Sequence, residues 1–555
     1  MSIQEQDRAV SAGSTAAGAG RREPAWPAGL VGVAAGAATL GVAEVGAGVA
    51  VRLLGATGTP SPLLAVAGAF VDRTPAWLKD WAVATFGTAD KIALGVGIGL
   101  TLLVVTALVG ALGRTSRALS VGLFLLVGAL GLGAVLSRPD AMLVDLWPTL
   151  AGLAVGTAVL LVGLGRLQGR TGAGLPGYGD DPAEGPRPAG GATPGPVAGR
   201  RGVLLAAGGV GVLGLLGVVA GQALTRTGRV AGAAVRALGL PVPVRRVEVP
   251  AAASATVEGQ TPFLTPVDDF YRIDTALWVP RVDPAAWTLR VTGLVEQEVE
   301  INWAELLEQD HVEAIVTLTC VSNTVGGPLV GNTVWTGWPV RELLARAGVR
   351  PEADMVLSRS ADGWTAGTPI EALTDDRDAL IAVAMDGQPL PAEHGFPARL
   401  VVPGLYGYVS ATKWVTELKV TRFDADEGYW TPRGWAERGP IKTASRIDVP
   451  RSEARVRAGE VAVAGVAWAQ QRGISAVEVR VDDGPWQQAE LAAQPSDDAW
   501  RLWSWTWPDA APGRHQLTVR ATDGTGEVQT DRPAAPAPDG ASGWHVVEVT
   551  VVEDD

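Results

Sequence analysis

The chain of 555 residues carries a single cysteine, Cys320. It stands in Thr317-Leu318-Thr319-Cys320-Val321-Ser322-Asn323-Thr324-Val325-Gly326-Gly327, where an apolar, β-branched run meets a glycine-bearing turn. A strand predicted over residues 314–319 would end at the sulfur, and strand ends are where a rigid scaffold presents reactive groups. Three roles are open to this thiol: a nucleophile, a soft thiolate ligand for a transition metal, or an inert buried side chain. A nucleophile needs a base, for which His394 and His311 are candidates, but their spacing singles out neither. Zinc is disfavoured, because one Cys and four scattered His make no ligand cluster.

A second constellation runs His394-Gly395-Phe396-Pro397-Ala398-Arg399, then Pro403-Gly404-Leu405-Tyr406-Gly407-Tyr408-Val409-Ser410-Ala411-Thr412-Lys413-Trp414. Its glycines allow backbone to approach a ligand closely. Arg399 and Lys413 supply cations, and Ser410 and His394 supply donors. Such a loop suits a phosphate joined to a flat polar ring system; it also reads as a surface loop with two solvated charges. A third stretch, Phe270-Tyr271-Arg272-Ile273-Asp274, offers another anion contact through Arg272.

The elements that must position these groups come in three blocks. Residues 1–225 are dominated by Gly, Ala, Val and Leu, and they lift the mean hydropathy of the chain to +0.20. Spans of about 20 residues, enough for about 30 Å of hydrocarbon, are predicted at 28–53, 92–112, 119–136, 146–164 and 203–224. The interval 62–86 is apolar but broken by Asp72, Arg73, Pro75, Lys79 and Asp80, so it reads as an interfacial or re-entrant segment. Arg21 and Arg22, Arg114 and Arg117, and Arg166, Arg170, Arg187, Arg200 and Arg201 occupy alternate loops. These loops therefore share the cytoplasmic side, and everything after residue 224 lies outside. Residues 168–199, rich in Gly, Pro and Ala, read as a flexible linker. Arg200-Arg201 before the last span has the form of a twin-arginine export signal or of ordinary positive-inside flanking. Gly209-Val210-Gly211-Val212-Leu213-Gly214 fits a dinucleotide-binding pattern, but it has no preceding strand and reads as a helix-packing surface. Glu44 is the ionisable residue of note inside a span.

Residues 247–440 mix short strands and helices, including a strand after the turn at Asp283, an amphipathic helix over 338–347 and strands at 399–402 and 415–420. They read as an α+β domain. In 449–555, Val477, Val479 and Val481, then Trp503, Trp505 and Trp507, then Leu517, Val519 and Ala521 alternate with polar residues, and 547–552 closes the series. This is an all-β pattern of the immunoglobulin-like sandwich type. The net charge of −13 argues against nucleic acid as a partner.

Taken together, the three chemical stretches resemble the sulfite oxidase family of molybdenum enzymes over residues 261–552. His394 through Trp414 carries the most specific part of the match, and Cys320-x-x-Asn323 looks like the family's Cys-x-x-Asn stretch. The resemblance implies that Cys320 ligates molybdenum and that His394, Arg399, Ser410 and Lys413 hold a pterin and its phosphate. Tyr271, Arg272 and Asp274 would form a further pterin-contacting segment, and Asn323 belongs to the cofactor site. It further implies a molybdenum–molybdopterin cofactor, two-electron oxygen-atom transfer on a small-molecule substrate, and a separate electron-transfer partner. The C-terminal domain is similar to the family's dimerisation domain in Gly484-Pro485-Trp486 and Gly543-Trp544-His545, which implies a homodimer. The expected molecule is a multi-pass cell-membrane protein in contact with lipid. An all-α transmembrane bundle is followed by an extracytoplasmic α+β molybdopterin-binding domain and an all-β domain. An isolated exported thiol makes sense there if it is permanently coordinated.

Two departures bear on the substrate. Thr324 and Val325 stand where sulfite oxidases place arginines, and Trp435 stands where they place a tyrosine. Losing guanidinium and phenol points away from an anionic, sulfite-like substrate. The rival readings are a non-catalytic extracytoplasmic binding module that retains the fold, and a thiol hydrolase that uses Cys320 with a histidine.

Overall fold

The computed structural model describes residues 25–54, 59–75, 78, 85, 90–138, 141–168, 200–226, 239–276 and 279–553. The chain divides into two compact units, residues 1–70 with 88–226 and residues 71–87 with 227–555.

The first unit is helical. Among the described residues, five helices are long and apolar enough to cross a membrane: Trp26–Val51, Ala93–Leu112, Arg117–Leu136, Leu143–Leu167 and Gly202–Gly221. The first is the packing centre, and small residues allow it to be. A β-carbon on Gly32 would strike the Gly110 backbone, and one on Gly41 would strike Gly214. Side chains of Ala35, Ala43, Ala47 and Ala50 are fully buried, while Leu205 and Leu213 are 70% and 69% exposed. Backbones this close gain van der Waals contact without large side chains. Gly214 of the glycine pattern serves this packing against Ala37, whereas Gly209 and Gly211 meet nothing within 4 Å. The buried Glu44 accepts the Ser61 hydroxyl at 2.6 Å. The first half of the interval 62–86 is a helix, Pro62–Arg73, and most of the rest lies outside the described residues. So does the predicted linker, apart from Gln168, which ends a helix.

In the second unit one sheet is ordered β2-β1-β10-β5-β6, from β1 (Thr288–Gly293), β2 (Val299–Asn302), β5 (Met355–Ser360), β6 (Thr365–Pro369) and β10 (Val415–Thr421). The other is ordered β3-β4-β7-β8 with β9 paired to β7. Its strands are β3 (Val312–Thr319), β4 (Val330–Pro339), β7 (Leu380–Met385), β8 (Gln388–Pro389) and β9 (Arg399–Val401). Trp338, expected to open a helix, instead lies in β4. The helix runs Val340–Ala347 after Pro339 and ends at Gly348 in the left-handed region, with φ 69°. Proline there ends the strand ladder and sets the extended residue that precedes the first turn. The apolar face of the helix, Val340, Leu343, Leu344 and Ala347, is buried.

The C-terminal strands form two sheets. One contains β11 (Ala444–Val449), β13 (Gly459–Trp468), β16 (Glu490–Leu491) and β17 (Arg501–Ala510). The second contains β12 (Ala454–Arg457), β14 (Ile474–Val481), β15 (Gln487–Gln488), β18 (Gly513–Asp523) and β19 (His545–Val552). Val463, Val477, Trp503, Leu517 and Val549 share one core between them, as the alternation predicts. A different buried cluster joins this β region to the rest of the unit: Val466, Trp468, Trp500 and Leu502 pack with Ile315, Leu400 and Tyr408.

Candidate functional site

Cys320 follows the last residue of β3 and is 9% exposed. The loop beyond it closes on itself. The Cys320 amide donates to the Leu329 carbonyl at 3.0 Å, and the Cys320 carbonyl accepts the Asn323 amide at 3.0 Å. The Asn323 side-chain oxygen accepts the Leu329 amide at 2.9 Å. Asn323 therefore braces the turn that presents the sulfur. Since β3 is the edge strand of its sheet, its register needs support on the open side. The C-terminal region supplies it. Thr317 donates its amide to the Asp498 carbonyl at 2.9 Å. The Trp500 amide donates to the Thr317 hydroxyl at 2.7 Å, and Gln470 donates to the Thr317 carbonyl at 2.8 Å.

The His394-to-Lys413 stretch brings buried cations to the same place. Arg399 and Lys413 are 4% and 8% exposed. The Arg399 guanidinium donates to the His394 carbonyl at 3.1 Å and lies over the Trp335 ring at 5.0 Å. Lys413 donates through Nζ to the Asp274 carboxylate and to the Glu393 carbonyl, each at 3.0 Å. Asp274 also accepts Arg272 Nε at 2.8 Å, so the third stretch is latched to the second. Tyr271 is half-buried and stacks on Phe270 at 5.5 Å. Ser410 is fully buried and donates to the Tyr406 carbonyl at 3.0 Å, which fixes the loop around it.

The electrostatics show a site short of negative charge. Burial, with help from the Arg399 charge, pushes Lys413 down to about 8 against the pull of Asp274. Burial takes Arg399 down to about 10. Burial and then the Arg399 and Lys413 charges drive His394 down to about 3, so its ring is neutral. Burial raises the Cys320 thiol, while hydrogen bonds from Ser322 and the Lys413 charge partly offset that rise. Burial first, then the Cys320 sulfur, raises the Tyr271 phenol, and Arg399 opposes them. Cys320, Tyr271, His394, Arg399, Lys413, Arg272 and Asp274 are thus one electrostatic neighbourhood.

Other residues named from sequence fall elsewhere. His311 precedes β3, which has 8 residues, and Cys320 follows it; a strand of that length separates them by roughly 25–30 Å. It cannot serve the thiol as a base. Ser322, visible in the Cys320 motif itself, bonds the sulfur and was not singled out. Gln470 and Trp500 had no local signal at all, because their role exists only once β3 lies beside them.

Two buried, mutually repelling cations are costly on their own and become favourable around a multiply charged anion. The donor set fits a phosphate-bearing cofactor with a soft metal at the thiol. Among the described residues no group of three or more His, Cys, Asp or Glu could hold a metal, so further ligands to a metal at Cys320 would come from the bound group.

Comparison with known proteins agrees with this fit. The family model for the oxidoreductase molybdopterin binding domain matches residues 276–430. That span includes Cys320, Asn323, His394, Arg399, Ser410 and Lys413 and leaves out Tyr271, Arg272 and Asp274. The uncharacterized oxidoreductase YuiH of Bacillus subtilis is 32% identical over 157 residues, 28% of this chain and 76% of that protein. Mitochondrial sulfite oxidase of Mus musculus is 29% identical over 344 residues, 52% of this chain, and the chain spans 62% of that protein's length. Sulfite oxidase of Gallus gallus is 28% identical over 320 residues, 49% of this chain and 69% of that protein.

Proposed function

The chain belongs to the sulfite oxidase-type family of molybdopterin-dependent oxidoreductases, and on that premise we propose that it is a membrane-anchored enzyme of oxygen-atom transfer acting outside the cytoplasm. The observation that carries this reading is the buried Cys320 thiol within reach of the buried Lys413 charge, with the buried Arg399 charge beside Lys413. Arg399 and Lys413 hold the cofactor's phosphate, with Arg272 at the rim. Neutral His394 and the Tyr271 ring line the pterin, and Asn323 and Ser410 keep the two presenting loops in shape. Cys320 is the metal's protein ligand. When bound, the molybdenum–molybdopterin group supplies two-electron oxygen-atom transfer, and the protein contributes binding, orientation and electrostatics.

Thr324 and Val325 are exposed on the Cys320 loop. Trp435 is half-buried, with its ring 5.9 Å from that of Tyr408. None of the three carries a charge where sulfite oxidases place arginines and a tyrosine, which supports a small, uncharged substrate over sulfite. Electrons leave to a separate protein or a quinone-level carrier. The domains are 1–225 as anchor, 247–440 as molybdopterin-binding domain and 449–555 as an immunoglobulin-like sandwich that pairs two copies. Five apolar helices and the alternate-loop arginines support a multi-pass anchor with the catalytic unit outside.

Metal and pterin analysis of the purified chain, followed by turnover assays with sulfite and with sulfoxides, tests the reading. Molybdenum with preference for the neutral sulfoxide is expected. A metal-free chain would favour a binding module, and a strong preference for sulfite would overturn the substrate class. If the domain crosses the membrane folded behind a twin-arginine signal, changing Arg200 and Arg201 to Lys blocks its export; normal export of that variant removes the signal from the account.

A further inference from the structure

The second half of the Cys320 loop has little with which to hold itself. Thr324 and Val325 are exposed, and Gly326 and Gly327 have no side chains. Its own closure there is one bond, from the Gly327 amide to the Thr324 carbonyl at 2.9 Å. The rest of the grip comes from β11 and β19. Arg446 of β11 donates to the Gly327 carbonyl at 3.0 Å, to the Thr261 hydroxyl at 3.0 Å and to Asp448 at 2.6 Å. His545, the first residue of β19, accepts the Ile447 amide on Nδ1 at 3.0 Å. That bond puts the ring proton on Nε2. The Nε2 and Cδ2 edge then lies against Gly326, so closely that a β-carbon at 326 would come within 2.2 Å of both atoms. Gly326 also sits at φ +74°, where a side chain is strained in any case.

We propose that His545 and Arg446 are positioning residues for Cys320: the C-terminal β region sets the direction of the metal's protein ligand by clamping the loop that carries it. This rests on the reading of Cys320 as that ligand. The clamp acts through the backbone of Gly326 and Gly327, and through the closed ring of bonds between Cys320, Asn323 and Leu329 it reaches the sulfur. A small displacement at a reacting centre is expensive, on the order of a hundredfold in rate for about 1 Å, so this grip bears on turnover and not only on folding.

His545→Asn separates the two roles in the full-length holoenzyme. The asparagine oxygen can still accept the Ile447 amide, but the space over Gly326 is left open. The expected results are an altered molybdenum electron paramagnetic resonance signature and a kcat lowered roughly ten- to a hundredfold with KM little changed. Amide exchange at Cys320, Asn323 and Gly327 should be faster by about tenfold, with the unfolding midpoint nearly kept. His545→Gln, whose longer amide covers Gly326 again, restores part of the signature. An unchanged signature with unchanged loop exchange overturns the proposal. Should His545→Asn fail to fold, Arg446→Lys decides on the same readouts, because one ammonium keeps the charge beside Asp448 but cannot also reach Thr261 and Gly327. Loop exchange is read with or without metal, so a metal-free wild-type chain would sink the cofactor reading while leaving this test intact.

Discussion

The cradle around Arg399 and Lys413 and the C-terminal β region both act on Cys320, and they do so by different physics. The cradle works by charge. Its cations are buried at a cost that shows in Lys413 being pushed down to about 8 and Arg399 to about 10, a cost that a bound anion removes. The β region works by hydrogen bonds with β3 and its loop, donated by Gln470, Trp500 and Arg446 and accepted by the Asp498 carbonyl. Those bonds are made without any ligand. The first region is poised for a cofactor and incomplete alone; the second makes its contacts to β3 and its loop with or without one. On the proposed reading, unfavourable electrostatics rather than stability marks the binding site.

Substitutions can break that contrast. The largest effect belongs to the cradle: Arg399→Ala and Lys413→Ala should each weaken cofactor retention by about 2–5 kcal/mol, read as pterin per chain after gel filtration. Pterin content equal to wild type in both would remove them from the site. The pH dependence sharpens the same point. With Lys413 near 8 in the free site, an anion can only raise that value, so loading takes up a proton as the pH passes 8. Retention is full below that pH and falls progressively above it. A Lys413→Arg chain, charged throughout, should lack the step; a pH-independent release rate in wild type would contradict the assignment. The smallest effect belongs to the brace. Gln470→Ala leaves the buried Thr317 carbonyl without that donor and should cost about 1–3 kcal/mol in unfolding, with pterin content unchanged while the chain is folded. Loss of pterin before loss of fold would mean that the two regions are not separable as drawn.

The difference also decides what could be read from the residues. The cradle was legible because His394 through Trp414 lies in one local run, and its glycines and charges keep their spacing whatever else the chain does. The strands of the C-terminal region were legible from alternation, and Leu517, Val519 and Ala521 are buried as that pattern requires. The pairing between regions was not. Nothing near Gln470, Arg446 or His545 marks them as neighbours of Thr317 or of the Gly326–Gly327 turn, since those contacts span 119 residues or more. Trp338 was drawn into a helix by its apolar period, and Pro339 ended that reading one residue later. The latch of Asp274 to Lys413 likewise joins residues 139 apart.

The central claim is that Cys320 is the protein's ligand to molybdenum. X-ray absorption at the molybdenum edge, on the full chain and on its Cys320→Ser variant, tests it most directly. The account predicts stoichiometric molybdenum in the wild type, and a sulfur shell that shrinks in the variant together with loss of turnover. The same sulfur shell and full turnover in the variant would contradict it.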